Sequence, residues 1–196
     1  MKLCRSWLAA PAALLSLLPA CAAPSLHGFD PQLERELEPG ITGEWYDDDG
    51  GKWRVEEGRG KTYDVFVTVP EKKEGEAAGE KRMPRLSVAM VRFGERRLID
   101  VALAEEEIEE VADRYGTLLL PAHQFYRLDQ AGDLLRIFLL DHEWVETWPG
   151  VIELEQPDRF PLLTSPPKQL RHLLEAAARD DEAWEDPIEL RRQRDG

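Results

Sequence analysis

Few residues of this 196-residue chain have the type and spacing that chemistry requires. Its four histidines, His27, His123, His142 and His172, share none of the short intervals by which metal sites gather their ligands. His123 follows Pro121, and a proline within a strand belongs at an edge, a start or a bulge. A bulge would aim the imidazole inward, to the base of a ligand cavity; the plainer role is a hydrogen-bonded structural histidine. Asp47-Asp48-Asp49 before Gly50 lacks the spaced ligands and distant bidentate glutamate of a calcium loop. It reads as a hairpin turn crowded with solvated acids, and the acidic run Glu105–Glu110 reads as a solvated helix face. Ser16, Ser25, Ser87 and Ser165 offer no nucleophile on a strained turn, and neither a phosphate cradle nor a rigid carboxylate pair is in view. No catalysis, metal or cofactor is expected, and a cryptic hydrolase ranks third among the functional readings.

Cysteine carries chemistry of another kind. Lys2 and Arg5 start the chain, an apolar run from Trp7 to Leu18 follows, and small residues come next, which is the layout of an export signal. The run is short of the ~20 apolar residues that cross a bilayer. Leu18-Pro19-Ala20-Cys21 resembles the lipobox of bacterial lipoproteins at Leu18, Ala20 and Cys21, with Pro19 at a position that normally takes another small residue. The resemblance implies cleavage before Cys21 and three acyl chains on the mature residue, beyond the two signals that stable anchoring needs. Cys4 would leave with the signal, so a mature chain keeps Cys21 alone and can form no internal disulfide. The alternative is an ordinary secretory signal cut after Ala22 or Ala23, with Cys21 discarded.

The formal charge of −14 and the lack of a basic stripe exclude a duplex-binding surface. Cleavage before Cys21 lowers the Lys and Arg count from 25 to 23 against 39 acidic residues, a formal −16. Anionic headgroups would repel such a body, so membrane association has to come from an anchor. By the resemblance to enterobacterial-type lipoproteins, Ala22 rather than an aspartate after the cysteine implies the periplasmic side of an outer membrane if the source has two membranes. Six tryptophans and 42% hydrophobic residues specify a folded domain.

The elements that must position these residues follow from periodicity. Residues 1–20 read as the signal, 21–40 as tether plus a short helix, 41–164 as a β-barrel, and 165–196 as a C-terminal helix with a polar tail. Asp30 to Glu38 predicts the short helix, with Asp30 as N-cap and Pro31 at its first position. From Ile41 a period-two pattern predicts strands near Gly43–Tyr46, Lys52–Glu57, Thr62–Val69, Arg85–Phe93, Arg97–Leu103, Leu118–Leu128 and Asp133–Leu140, with a last short one near Arg159–Leu163. In TYDVFVTV, Tyr63, Val65, Val67 and Val69 share one face. Tight Gly-containing joints make a meander, and about eight antiparallel strands remove their edges by closing into an up-and-down barrel.

Two joints are longer: Glu71 to Pro84 reads as a charged, mobile loop, and Ala104 to Arg114 as an acidic helix with Ile108, Val111 and Ala112 inward. Ser165 as N-cap and Pro166 open a helix whose Leu170, Leu173, Leu174 and Ala177 form one apolar face to pack outside the barrel. After Pro187, IELRRQRDG reads as a solvated end.

Gly43-Glu44-Trp45, opening the first strand, resembles the Gly-x-Trp element of lipocalins and other calycins. There the glycine lets the chain pass close at the barrel floor and the tryptophan plugs that end; the later Thr-Asp-Tyr signature of the family is absent. A wider resemblance is to uncharacterised bacterial lipoproteins that join a lipobox to such an opening, to Leu120-Pro121-Ala122-His123, to Leu140-Asp141-His142-Glu143-Trp144, and to Leu163-Thr164-Ser165 before a helix. It implies shape and location and no reaction. Two binding roles follow. One is a small apolar ligand in the barrel, walled by Tyr63, Val65, Val67, Val88 and Phe125 with His123 at its base. The other is a filled barrel that serves as a cell-envelope interaction or assembly factor.

Overall fold

The computed structural model describes residues 23–71, 79–115, 122–148, 151–152 and 162–192, with 111–115 and 151–152 described in their backbone alone. The strands are β1 (Gly43–Tyr46), β2 (Lys52–Glu57), β3 (Thr62–Glu71), β4 (Gly79–Arg82), β5 (Leu86–Phe93), β6 (Arg96–Leu103), β7 (His123–Ala131), β8 (Leu134–Leu139), β9 (Val151–Ile152), β10 (Leu162–Leu163) and β11 (Ile188–Arg192). Helix α1 (Glu105–Tyr115) lies between β6 and β7, α2 (His142–Glu146) follows β8, and α3 (Pro167–Ala177) follows β10.

Eight of these strands close into an antiparallel barrel in the order β1, β2, β3, β5, β6, β7, β8, β11, with β11 pairing back onto β1. Alternation decides what enters it. Tyr63, Val65 and Val67 of β3 join Trp45, Val55, Val88, Met90, Ile99, Val101, Tyr126, Leu128, Leu135, Leu139 and Leu190 in one buried interior cluster. The opposite faces of β5 to β8 carry a second core. Ala89, Val91, Leu98 and Phe125 pack there against Leu170, Leu173, Leu174 and Ala177 of α3, together with Trp184. The apolar stripe of α3 is therefore used against the outside of the barrel, as its spacing predicts.

The eighth strand is not where periodicity places it. Only Leu162–Leu163 of the predicted last strand is extended among the described residues, and it pairs with β9 in a separate ribbon. Closure comes from Ile188–Arg192, within the segment read as a solvated end. Leu190 pairs with Leu135 and is buried, while Glu189 pairs with Arg136 on the outer face. Four of these five residues are polar or only half-buried, so their strand character rests on backbone pairing to both neighbours. The barrel domain accordingly extends beyond residue 164 to include β11.

Other boundaries move for similar reasons. The segment predicted as a helix from Asp30 to Glu38 is a turn followed by an extended run. Asp30 Oδ1 accepts from the Gln32 amide, Arg35 bridges Val91, and the Glu36 amide donates to Met90 O. β3 covers only Leu86–Ala89 of β5, which leaves the edge at Met90–Val91 open to this segment. A nine-residue helix is marginal by itself, and the open strand edge wins. The predicted loop Glu71–Pro84 is a hairpin in part, because β3 runs on to Glu71 and pairs with the fully exposed β4. β7 begins at His123, residues 118–121 of the predicted strand lying outside the described residues. Pro166 occupies the cap position of α3, and Ser165 is buried one residue earlier.

The barrel floor is built from Gly43, Trp45 and Arg192. Gly43 has φ +124°, a conformation that strains any side chain. Trp45 is fully buried and its Nε1 donates to Ile41 O at 2.8 Å. The Arg192 guanidinium lies 4.5 Å over the Trp45 ring, and its Nη2 donates to Thr42 O at 2.7 Å and also to Gly40 O. Arg192→Ala is expected to lower stability by about 2 kcal/mol, from the lost cation–π contact and the lost bonds to Gly40 O and Thr42 O, of which Gly40 O keeps Gln130 Nε2 as a donor. Urea denaturation of the variant measures it, and an unchanged midpoint would contradict a load on this residue.

Candidate functional site

The residues proposed to line a cavity divide between the two sides of the barrel wall. Tyr63, Val65, Val67 and Val88 point inward as expected, and Gly43 and Trp45 lie at the floor. Phe125 and His123 do not point inward. β7 sends Gln124, Tyr126 and Leu128 into the barrel, so His123, Phe125 and Arg127 face out by the two-residue period. Phe125 is buried in the outer core and stacks on Phe29 with ring centroids 5.4 Å apart. The strand is buried on both faces, which removes the polar alternation that would mark its inside.

The inward side chains pack together in one buried cluster. Trp45 and Met90 are 0% exposed, so neither touches a void large enough for water. The Tyr126 hydroxyl donates to Gln124 Oε1, and the Tyr63 hydroxyl accepts from the Glu38 amide at 2.6 Å. Burial pushes the Tyr126 phenol far above its ordinary value. Tyr63 is also raised, by burial first and with the Glu38 carboxylate adding to it.

Outside the wall, His123 belongs to a built cluster. Its Nδ1 donates to Asp100 Oδ1 at 2.8 Å, and Asp100 Oδ2 accepts from the Phe29 amide at 3.0 Å. Asp100 is buried, and both of its oxygens are used. Gly28 runs so close that an added Cβ would sit 2.4 Å from Asp100 Oδ2 and 2.8 Å from His123 Cε1. Ser25 pairs backbone to backbone with His123, two bonds of 2.8 Å, and brings a hydroxyl near an Asp–His pair. That hydroxyl donates to His27 O at 2.7 Å, so its proton is directed away from the imidazole. The trio holds the N-terminal segment against the barrel and does not form a nucleophile–base relay.

The other residues singled out by sequence have structural roles. Asp47 accepts from the Gly51 amide at 2.6 Å and from Trp53 Nε1 at 2.9 Å, which makes its carboxylate part of the turn. Asp141 caps α2 through the amides of Glu143 and Trp144. Ile108 of α1 is half-buried, while the side chains of Val111 and Ala112 lie outside the described residues, as do Cys21 and the segment 1–20 read as a signal. No three metal-ligating side chains converge among the described residues.

Two open hollows lie on the outer surface. One, of about 310 Å³, is lined by Ala131, Asp133, Leu134, Arg191 and Arg192. The other, of about 480 Å³, is lined by Phe66, Arg82, Met83 and Arg85 among others, with Arg54 and Arg82 over the Phe66 ring.

Sequence reasoning missed Asp100, Arg127 and Arg192. For the first two a signal existed, since a charge inside an apolar strand needs a partner. Arg127 is buried with its guanidinium 3.8 Å over Phe138 and 3.0 Å from Asp181. For Arg192 there was none, because its segment has no apolar period. Comparison of the chain with protein-family models, with curated proteins and with solved structures finds no match in any of the three.

Two predictions follow from this geometry. Gly28→Ala displaces the Asp100 carboxylate and is expected to cost about 1–3 kcal/mol through the lost buried bonds, with faster hydrogen exchange at the Ser25 and Phe29 amides; unchanged exchange would contradict the clamp. Because the folded state raises the Tyr63 and Tyr126 phenols above their unfolded value near 10, their contribution is intact below about pH 10 and declines as pH rises beyond it. Urea midpoints between pH 8 and 11.5 measure this, and a flat profile would contradict it.

Proposed function

We propose that the protein is an exported, lipid-anchored envelope protein whose barrel is a packed scaffold and whose work is binding at its outer surface, as an interaction or assembly factor. What supports this binding role over an internal ligand is the burial of large inward side chains. Trp45, Met90, Tyr63 and Tyr126 occupy the space an internal ligand would need, and a small barrel can be filled in this way. The anchor reading draws on the Leu18–Cys21 resemblance and on a surface too acidic to hold a bilayer by charge.

The outer surface favours a polar partner. Leu37 is exposed, while the apolar face of α3 is spent on the barrel wall. The first turn of α1 carries Glu105, Glu106 and Glu107, with Glu106 paired to Arg85. These features suit a partner with a basic face, whose complex would weaken with salt.

One observation favours a small apolar ligand instead. Met83 belongs to the interior cluster and also lines the hollow beside Phe66, and methionine is the side chain that yields most readily to an entering group. Native mass spectrometry of the full chain extracted with its lipid tests both readings. The expected result is a mature chain beginning at Cys21 with three acyl chains and no retained small molecule. A co-retained apolar molecule would overturn the filled-scaffold reading, and an unmodified or missing Cys21 would overturn the anchor.

A further inference from the structure

We infer that the tether behind the lipid is part of the fold, so that the face around Ala23, His27 and Ala122 is held directly against the headgroups of the membrane. This rests on the lipid-anchor reading and adds where the body must sit.

Residues 24–26 run extended between the start of β7 and β10, bridging both. The Ser25 amide donates to His123 O and the His123 amide to Ser25 O, both at 2.8 Å. On the other side, Leu163 N donates to Pro24 O at 2.8 Å and Leu26 N to Leu163 O at 2.9 Å. Ala23 is 1% exposed in the outer core and Ser25 is fully buried. Three residues on, Asp100 holds the Phe29 amide. The segment that would serve as a slack leash is therefore fastened from Ala23 onward.

Only Ala22 separates Ala23 from Cys21. Two Cα steps reach about 7 Å at most, and the headgroup layer of one leaflet is itself about 5–8 Å deep. A lipid seated in the hydrocarbon thus leaves Ala23 no room to stand clear of the headgroups. Charge does not supply this contact, because the body is strongly acidic and no basic stripe faces the lipid. Covalent reach alone enforces it. His27 and Ala122 are exposed beside the fastened segment and share its position at the lipid surface.

The test uses the acylated full chain carrying Ala122→Cys, with Cys21 blocked by its lipid and the new thiol carrying a fluorophore. The protein is placed in phosphatidylcholine vesicles containing phosphatidylcholine spin-labelled on its headgroup. Strong quenching is expected, and it should fall about threefold or more when ten Gly/Ser residues are inserted between Ala22 and Ala23, since such a linker spans ~17 Å on average. Weak quenching in the acylated parent would overturn the inference by showing a tether that peels away. Quenching unchanged by the insertion would overturn it by showing that the body adheres without the short reach. Intact mass reports acylation in each sample, so failure of the anchor is distinguished from failure of the docking.

Discussion

Closure of the sheet by β11 is the constraint on which the rest of this molecule depends. A curled sheet of seven strands would leave β1 and β8 with unpaired amides and carbonyls along both edges, and closure alone removes them. The strand that performs it comes from far along the chain, after α2, β9, β10 and α3. It carries little apolar pattern of its own, with Leu190 its one fully buried residue. What delivers it is the outer core, which fixes α3 and Trp184 on the wall of β5 to β8; Trp184 Nε1 donates to Ala177 O at 2.8 Å and Leu140 bridges Trp184. Arg192 then completes the floor by covering Trp45 and binding the carbonyls of Gly40 and Thr42.

One wall therefore serves two cores. Along β5, Met90 enters the barrel and Val91 leaves it; along β6, Ile99 enters and Leu98 leaves; along β7, Tyr126 enters and Phe125 leaves. Such strands bury apolar residues on both faces, so no polar alternation marks their inside. Buried charge on this wall is compensated locally. Arg127 pairs with Asp181 and stacks on Phe138, and Asp100 gives both oxygens to Phe29 and His123. These polar contacts attach the chain segments outside the barrel to its wall, which is why they look like a site and behave as fastenings.

The N-terminal segment is the longest of those fastenings. It starts beside His123 and passes Asp100. It then pairs with the open edge of β5 and reaches the floor, where the Glu38 carboxylate meets Arg97 at 2.8 Å and the Gly40 carbonyl meets Arg192. It runs the length of the barrel and joins both ends without forming a regular element. The chain is pinned in this way from Ala23 to Ile41.

The sequence by itself determined the strands whose pattern is local. TYDVFVTV, the turns at Gly50, Gly94 and Gly132, the acidic start of α1 and the apolar stripe of α3 all state their structure within a few residues, because side-chain period and turn chemistry act at that range. The inward set Tyr63, Val65, Val67 and Val88 was legible for the same reason. Tertiary structure alone decided the rest. β11 is extended because β8 and β1 offer it partners, residues 30–38 are extended because β5 has a free edge, and Phe125 faces out because a second core waits there. In each case the deciding energy lies in backbone pairing or burial against residues distant in the chain, which no local period records.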